Sequence, residues 1–561
     1  MIRINKFLNN FANDDRKENV EQVVRQSGDG VLRAYIQDSV PESAAPYYFF
    51  GNLADGVLRV TDELRALLGF SDSELDNIFT AMVNRISNEH DRECYIEEYE
   101  ALRKGKEKGT IYFRVNVPSG RVWLCQRVAR VLKDQSADPY ICGSFEIFDQ
   151  RRIVKEMLLF SENGSLTAGI VDMLEDAPPL SPFAVITPEA VGSDRAADFA
   201  GLLAKRLSES STLFDRTQHF SNGIAAAMVS PVFGHLDVTA LRECVSAEIS
   251  RVLKGLGMAD AVRFRTDIVP GSDDPVVSRK RRFDALSDLA AAASRKTAAC
   301  AAGRLLCVSE ALAIAQACLN DFSGFNLYLQ LKTRADTLDF EGGEFLIRMK
   351  SGDGPGPGRF IPFLEQSALA APLGRWTVEK AAELSAAHLP VGDGFHVSVN
   401  VSPRQMLDPS FFDFLETVWR RYLPLGTLTL ELTETAAMPS AEALDIFTEG
   451  CRRLGARASL DDCGNGYNGL ETAVRHHFDE VKFSRSFTLT LLGMPHGAEF
   501  FARLIGAVRL ITDRICIEGI EDAATLEAVR PLGADCYQGY HFAKPLPVEV
   551  AAKLLRHRKP A

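Results

Sequence analysis

The eleven cysteines include no CxxC pair, and their number is odd. That excludes a disulfide frame and reads as reduced thiols in a cytoplasmic protein. No apolar run approaches the ~18 residues of a membrane span. The N-terminus, MIRINKFLNNFANDDRKENV, has no secretory core. Basic residues are too few to coat a nucleic-acid polymer: 63 Lys and Arg face 75 Asp and Glu, for a net charge of -12. A nucleotide held in one pocket remains open. The Gly/Pro run SGDGPGPG after Lys350 is not a phosphate-binding P-loop, because no GK[ST] and helix start follow it.

What is present is an ordinary globular composition, 46% hydrophobic and 25% charged over 561 residues. That length corresponds to about three or four domains. Residues 1–44 are polar and charge-mixed, a lead-in. From Tyr47 the pattern is two short strands, helices, and then three strand-like segments, TIYFRVNVP, RVWLCQRVARVLKD and YICGSFEIFD. DQRRIVKEMLLF then reads as a connecting helix. Residues 151–320 mix strands and helices, and the cluster Ser278 to Arg282, SRKRR, reads as a solvated loop. From Phe325 onward strands alternate with helices: FNLYLQLK, GGEFLIRMK, HVSVNVS, LTLELTE, RASLDD, EVKFS, RICIEG and CYQGY. Eight such pairs predict a (β/α)₈ TIM barrel, with function at the carboxyl ends of the strands.

Those ends carry Glu344, Asn400, Glu431, Asp461 with Asp462, Lys482 and Glu518. The centre of the pattern is Arg457 to Leu470, RASLDDCGNGYNGL. Two adjacent acids at a strand end suit a pair of divalent cations, which want hard oxygen ligands. Alone, DDxGxG is also a plain strand-to-loop exit. Charged groups ending so many apolar strands are costly unless paired or on metal, which favours convergence.

Three family resemblances follow. Residues 45–150 resemble the PAS sensor fold, through element order and RVNVPSGRVWL. No cofactor pattern surrounds His90 or Cys94 there, so none is assigned. Residues 151–320 resemble the GGDEF diguanylate cyclase fold, with LTAGI at the opening motif and SNGIA, Ser221 to Ala225, at the signature itself. Ile224 and Ala225 supply no carboxylate for a cation, so the resemblance implies a degenerate, regulatory domain. Residues 321–561 resemble the EAL family of cyclic di-GMP phosphodiesterases. The motifs are EFLIR (344–348), SVNVSPRQ (398–405), ELTET (431–435), DDCGNGYNGL (461–470), VKFSRSF (481–487), EGIED (518–522) and DCYQGYHFAKP (535–545).

The EAL resemblance implies two Mg²⁺ or Mn²⁺ ions. Glu344, Asn400, Glu431 and Asp461 would hold one, and Asp461, Asp462 and Glu518 the other. Lys482 would polarise the attacking water, Glu518 would take its proton, and Glu521 would steady that end. Gln330, Arg348 and Gln538 would contact the substrate, and Glu434 would anchor the 462–470 loop. The implied reaction opens cyclic di-GMP to linear pGpG, in a homodimer formed through the EAL domain. The alternative is a non-catalytic cyclic di-GMP receptor signalling to a protein partner. Ser484 departs from the family's acid two residues after the lysine, which predicts a missing charged partner near Lys482.

Overall fold

The computed structural model describes residues 47–557, apart from 53–57, 61–63, 66–67, 71–77, 118–119, 132–139, 162–177, 179, 189–192, 220–224, 235, 257–263, 273–280, 282–304, 352–353, 393, 407, 409, 434–439 and 465–468. The chain forms two compact units. One joins Met1–Ile147, Asn320–Arg348 and Ala368–Ala561; the other joins Phe148–Leu319 and Met349–Ser367. The predicted lead-in, the SNGIA stretch up to Ile224, most of SRKRR and Glu434 lie outside the described residues.

In the first unit, β1 (Tyr47–Asn52), β2 (Leu58–Val60), β3 (Lys108–Val117), β4 (Gly120–Val131) and β5 (Tyr140–Phe148) form a sheet ordered 2-1-5-4-3. Helices α1 (Ile78–Arg85) and α2 (Glu89–Arg103) lie between β2 and β3 in sequence. Asn88 caps α2 by accepting from the Asp91 N–H. Alternation along β3 sends Ile111, Phe113, Val115 and Val117 into a core with Phe49, Tyr95, Tyr99 and Phe145.

The second unit holds β6 (Phe183–Pro188), β7 (Phe214–His219), β8 (Ala225–Val229) and β9 (Phe264–Val269), ordered 7-8-6-9. With them go α3 (Gln150–Leu159), α4 (Ser193–Ser210) and α5 (Val238–Gly255). Leu203 and Leu207 of α4 and Leu241, Val245 and Ile249 of α5 bury the sheet's Ala184, Ile186 and Ala227. The chain continues through α6 (Val308–Phe322), and α7 (Pro357–Gln366) also falls in this unit.

The barrel comprises β10 (Phe325–Arg334), β11 (Phe340–Met349), β12 (His396–Val401), β13 (Leu428–Thr433), β14 (Arg457–Cys463), β15 (Glu480–Phe483), β16 (Arg514–Ile517) and β17 (Cys536–Gln538). Their order is β11 through β17 and then β10, closed by a β10–β11 pairing, while the short β18 (Leu546–Pro547) adds to β10. The helices are α8 (Ala370–His388), α9 (Phe411–Tyr422), α10 (Ala441–Leu454), α11 (Gly469–Arg475), α12 (Arg485–Leu492), α13 (Gly497–Val508), α14 (Ala523–Val529) and α15 (Val548–His557). All eight predicted strands are present. One feature differs from eight regular β/α pairs: β10 runs antiparallel to β17. The reason is the link to β11, a turn closed by the Arg334 N–H donating to the Asp339 carbonyl at 2.8 Å. So short a link cannot make the crossover that a parallel neighbour needs.

The outer face of β3 meets the barrel's helices. Arg114, 3% exposed, sits on that face. Its Nε and Nη2 donate to the two oxygens of Asp91 at 2.7 and 2.9 Å. Its Nη1 pairs with Glu379 of α8 at 2.7 Å and reaches Asp321 at 3.4 Å. Asp321 also accepts from the Trp123 indole at 2.8 Å, and Asn88 donates to Glu379 at 3.0 Å. Asp321 holds φ +60, within a left-handed run from Asn320 to Phe322 that turns the chain toward β10. Beside this hub Arg375 of α8 lies between the rings of Tyr112 and Phe414, 4.7 and 4.5 Å from their centroids. His90 packs on Phe414 and against Cys94, so both residues act in packing.

Arg114→Met leaves three carboxylates around an apolar side chain. The expected loss is about 3–5 kcal/mol of stability, read from urea melts. A change within a few tenths would show that the hub contributes little. Burial, opposed only in part by Glu379, lowers the pKa of His90 from 6.5 to about 4. The folded protein therefore binds fewer protons than the unfolded one between those values, and stability falls as pH drops through that window. At full separation the effect is roughly 3 kcal/mol. His90→Leu is expected to flatten the wild-type fall in urea midpoint between pH 6.5 and 4.5, and parallel curves would contradict it.

Candidate active site

The site is assembled on one lysine. Lys482 lies in β15 and is fully buried. Its Nζ pairs with Glu344 of β11 at 3.2 Å, Glu431 of β13 at 2.7 Å, Asp461 of β14 at 3.0 Å and Glu518 after β16 at 2.7 Å. Four strands distant in sequence thus deliver carboxylates to one ammonium. The charged partner predicted to be missing near Lys482 is present four times over. Ser484 serves locally instead, accepting from the Phe487 N–H and capping α12.

The strand registers explain the convergence. Asn400 stands beside Glu431 across β12 and β13. Its Nδ2 donates to Glu344 at 2.7 Å. Between β14 and β15 the register shifts between Leu460 and Cys463. This bulge takes in Asp461 and Asp462 and re-aims their side chains. Asp462 holds φ +56, a left-handed conformation uncommon for a non-glycine residue. Its N–H donates to Asp461 Oδ1 at 2.9 Å. Gly464 then turns at φ +99, where a Cβ would collide with Phe487.

Gln538, on β17, donates to Glu344 Oε2 at 2.8 Å and so joins the cluster. Gln330 is buried on β10 and donates to the Ala543 carbonyl at 3.5 Å. Arg348 lies near the end of β11 and donates to the Ile347 carbonyl. Burial lowers the pKa of its guanidinium. Glu521 stands apart from the cluster, half-exposed and paired with Arg485 at 2.8 Å. His476, just after α11, is buried against Asp445 at 2.7 Å.

Sequence reading missed a second buried ammonium. Lys332 of β10 donates to Glu431 Oε1 at 2.6 Å, Ser398 at 3.0 Å and Glu480 at 3.2 Å. Glu480 accepts from Ser459 at 3.1 Å and from Arg514 at 2.9 Å, and Arg514 pairs with Glu341. The signal was available: Gln330 and Lys332 are two apart in FNLYLQLK, and so share a face of the strand.

The electrostatics favour additional positive charge. Burial raises Asp461 well above the usual carboxylate range, and Glu518, Glu431 and Glu344 add to this against Lys482. Burial also lifts Glu518 to about 7. Glu431 is the exception: burial would raise it, but Lys332 and Lys482 outweigh that and hold it well below the usual range. Four carboxylates around one ammonium leave negative charge in excess. Oxygens of Glu344, Glu431 and Asp461 lie within 4.8 Å of one another, all three residues buried. An all-oxygen set of this kind fits hard divalent cations such as Mg²⁺ or Mn²⁺. His477, Asp479 and Asp513 form another such group among the described residues, but it is more exposed, and Asp479 already accepts from the Ala458 N–H.

Comparison with known proteins matches this part of the chain. The cyclic di-GMP phosphodiesterase PdeR of Escherichia coli is 29% identical over 192 residues, 34% of this chain and 29% of that protein. A cyclic di-GMP phosphodiesterase of Pseudomonas aeruginosa is 30% identical over 240 residues, 42% of this chain and 40% of that protein. The chain thus spans well under half the length of these relatives. A solved structure of the PaMucR phosphodiesterase in complex with c-di-GMP is 28% identical, covers 43% of this chain and 98% of that one, and has a TM-score of 0.40. The family model that matches is described as the EAL domain, and residues 312–545, which include the whole eight-strand barrel, carry it.

Proposed function

We propose that the barrel hydrolyses cyclic di-GMP to linear pGpG. The observation that carries this reading is the convergence of Glu344, Glu431, Asp461 and Glu518 on Lys482. The EAL match and relatives whose names state that activity support it. Glu344, Asn400, Glu431 and Asp461 would hold one Mg²⁺ or Mn²⁺, and Asp461, Asp462 and Glu518 a second. Such a pair supplies a nucleophilic water near neutral pH and neutralises charge developing on the phosphate. The protein's own groups do the rest. Lys482 holds and polarises the water. Glu518, lifted to about 7, is suited to accept its proton. Glu521 ties down the 518–521 segment through Arg485, whose side chain packs where Gly519 leaves room. Arg348 offers a planar fork to phosphate. Gln330 and Gln538 present amides to the guanine edges.

The remaining assignments belong to the same proposal. The 2-1-5-4-3 sheet supports a PAS-like sensor, and the 7-8-6-9 sheet with its two helices a cyclase-like regulatory domain. Exposed Val474, Leu489 and Phe500 on the helices after β14 and β15, and Met494 in the turn between α12 and α13, support a homodimer through the barrel. No helix among the described residues is long and apolar enough to cross a membrane, which accords with a cytoplasmic enzyme.

The test is nucleotide chromatography after incubating the full chain with cyclic di-GMP and Mg²⁺ or Mn²⁺. Wild type is expected to yield pGpG, Glu344→Ala none, and Glu518→Gln about 10²–10⁴-fold less. Intact substrate with measurable binding would establish the receptor instead. Incubation with GTP is expected to give no cyclic di-GMP, and its appearance would overturn the degenerate reading of Ser221 to Ala225.

A further inference from the structure

The lower interior of this barrel contains ions where aliphatic layers are the norm. From Lys482 downward the side chains alternate in sign: Glu431, Lys332, Glu480, Arg514 and Glu341. Lys332 and Glu480 are 5% and 3% exposed. A buried ammonium without partners would be very costly, so Lys332 is held firmly by the three oxygens it contacts.

Glu431 is where this column meets the site. Each of its oxygens has its own ammonium: Oε1 lies 2.6 Å from Lys332, and Oε2 lies 2.7 Å from Lys482. The two ammoniums differ in what surrounds them. Lys482 lies among the carboxylates that offer themselves to a cation. Among the described residues, Lys332 donates to Glu431, Ser398 and Glu480 and to none of Glu344, Asp461 or Glu518.

We infer that Lys332 is a specificity-determining residue for the cation. By holding Oε1 toward Ser398 and Glu480 it leaves Oε2, the oxygen that meets Lys482 among Glu344, Asp461 and Glu518, as the one Glu431 turns to the cluster, and so makes it a one-oxygen ligand. This rests on the reading above that Glu431 holds an ion. One-oxygen carboxylates suit the small octahedral shell of Mg²⁺ or Mn²⁺. Ca²⁺ takes more oxygens at longer distances and is well served by a carboxylate that grips with both. Lys332 thereby biases the site against Ca²⁺, from a position outside the coordination shell.

The test is calorimetric titration of the full-length protein with Mn²⁺ and, separately, with Ca²⁺. Wild type is expected to prefer Mn²⁺. Lys332→Met frees Oε1, and the Mn²⁺-to-Ca²⁺ affinity ratio is expected to fall about tenfold or more. Lys332→Arg, which restores a cation at Oε1, is expected to return the ratio toward wild type. Because Lys332→Met also strips Glu480 of a partner, the double variant Lys332→Met/Glu480→Gln removes that stray charge and is expected to show the same fall. A merely structural lysine would lower the melting temperature and leave the ratio alone, and an unchanged ratio in either folded Met variant overturns the inference. Wild-type protein that binds neither ion overturns the two-cation reading first, and this inference with it.

Discussion

A single ammonium surrounded by four carboxylates is the constraint on which the rest of the C-terminal structure depends. Bringing Glu344, Glu431, Asp461 and Glu518 together in a dry interior would be prohibitive without Lys482 among them. Several strands must end at the same height for this to happen. The β12–β13–β14 registers set that height, and the irregularity at Asp461 and Asp462 adjusts it where β14 meets β15. Excess negative charge is then the property that suits the mouth to a cation, since Lys482, with Lys332 on the other oxygen of Glu431, leaves the four carboxylates incompletely neutralised.

Much of this was legible in the order of residues because acids ending apolar strands are conspicuous. Alternating segments gave the strand count, and the positions of Glu431 and Asp461 followed from where each segment stops; Glu344, expected at a strand end, instead lies in the middle of β11. What escaped was whatever depends on neighbours across the sheet. The irregular pairing that turns Asp461 and Asp462 is invisible in RASLDDC, since it exists only relative to β15. Lys332 was overlooked because a lysine near the end of a strand reads as an exit, and its partners Glu431 and Glu480 lie 99 and 148 positions away. Ser484 misled for the opposite reason. Its absent charge looked like a loss to Lys482, while the strands on either side had already supplied the partners. The antiparallel first strand was inferable from the short link after Arg334, had its length been weighed against the crossover requirement.

The N-terminal sheet shows the same divide between local and distant information. Its own core follows from alternation along β3. The opposite face of that strand carries Arg114 and Tyr112, and nothing nearby in sequence says what covers them. The answer comes from Glu379, Asp321 and Arg375 of the barrel segment. A guanidinium with two carboxylate partners outside its own domain ties the sheet to the barrel far more firmly than a flexible tether would.

That arrangement has a consequence for biosynthesis. Asn88 and Glu379 are 291 positions apart. At about 5–20 residues per second, roughly 15–60 seconds separate their emergence from the ribosome. Asp91, beside Arg114 from the start, can neutralise the guanidinium during that interval. The early sheet therefore has a provisional counter-ion of its own, and the nascent domain waits with one half of the hub complete until translation delivers the other.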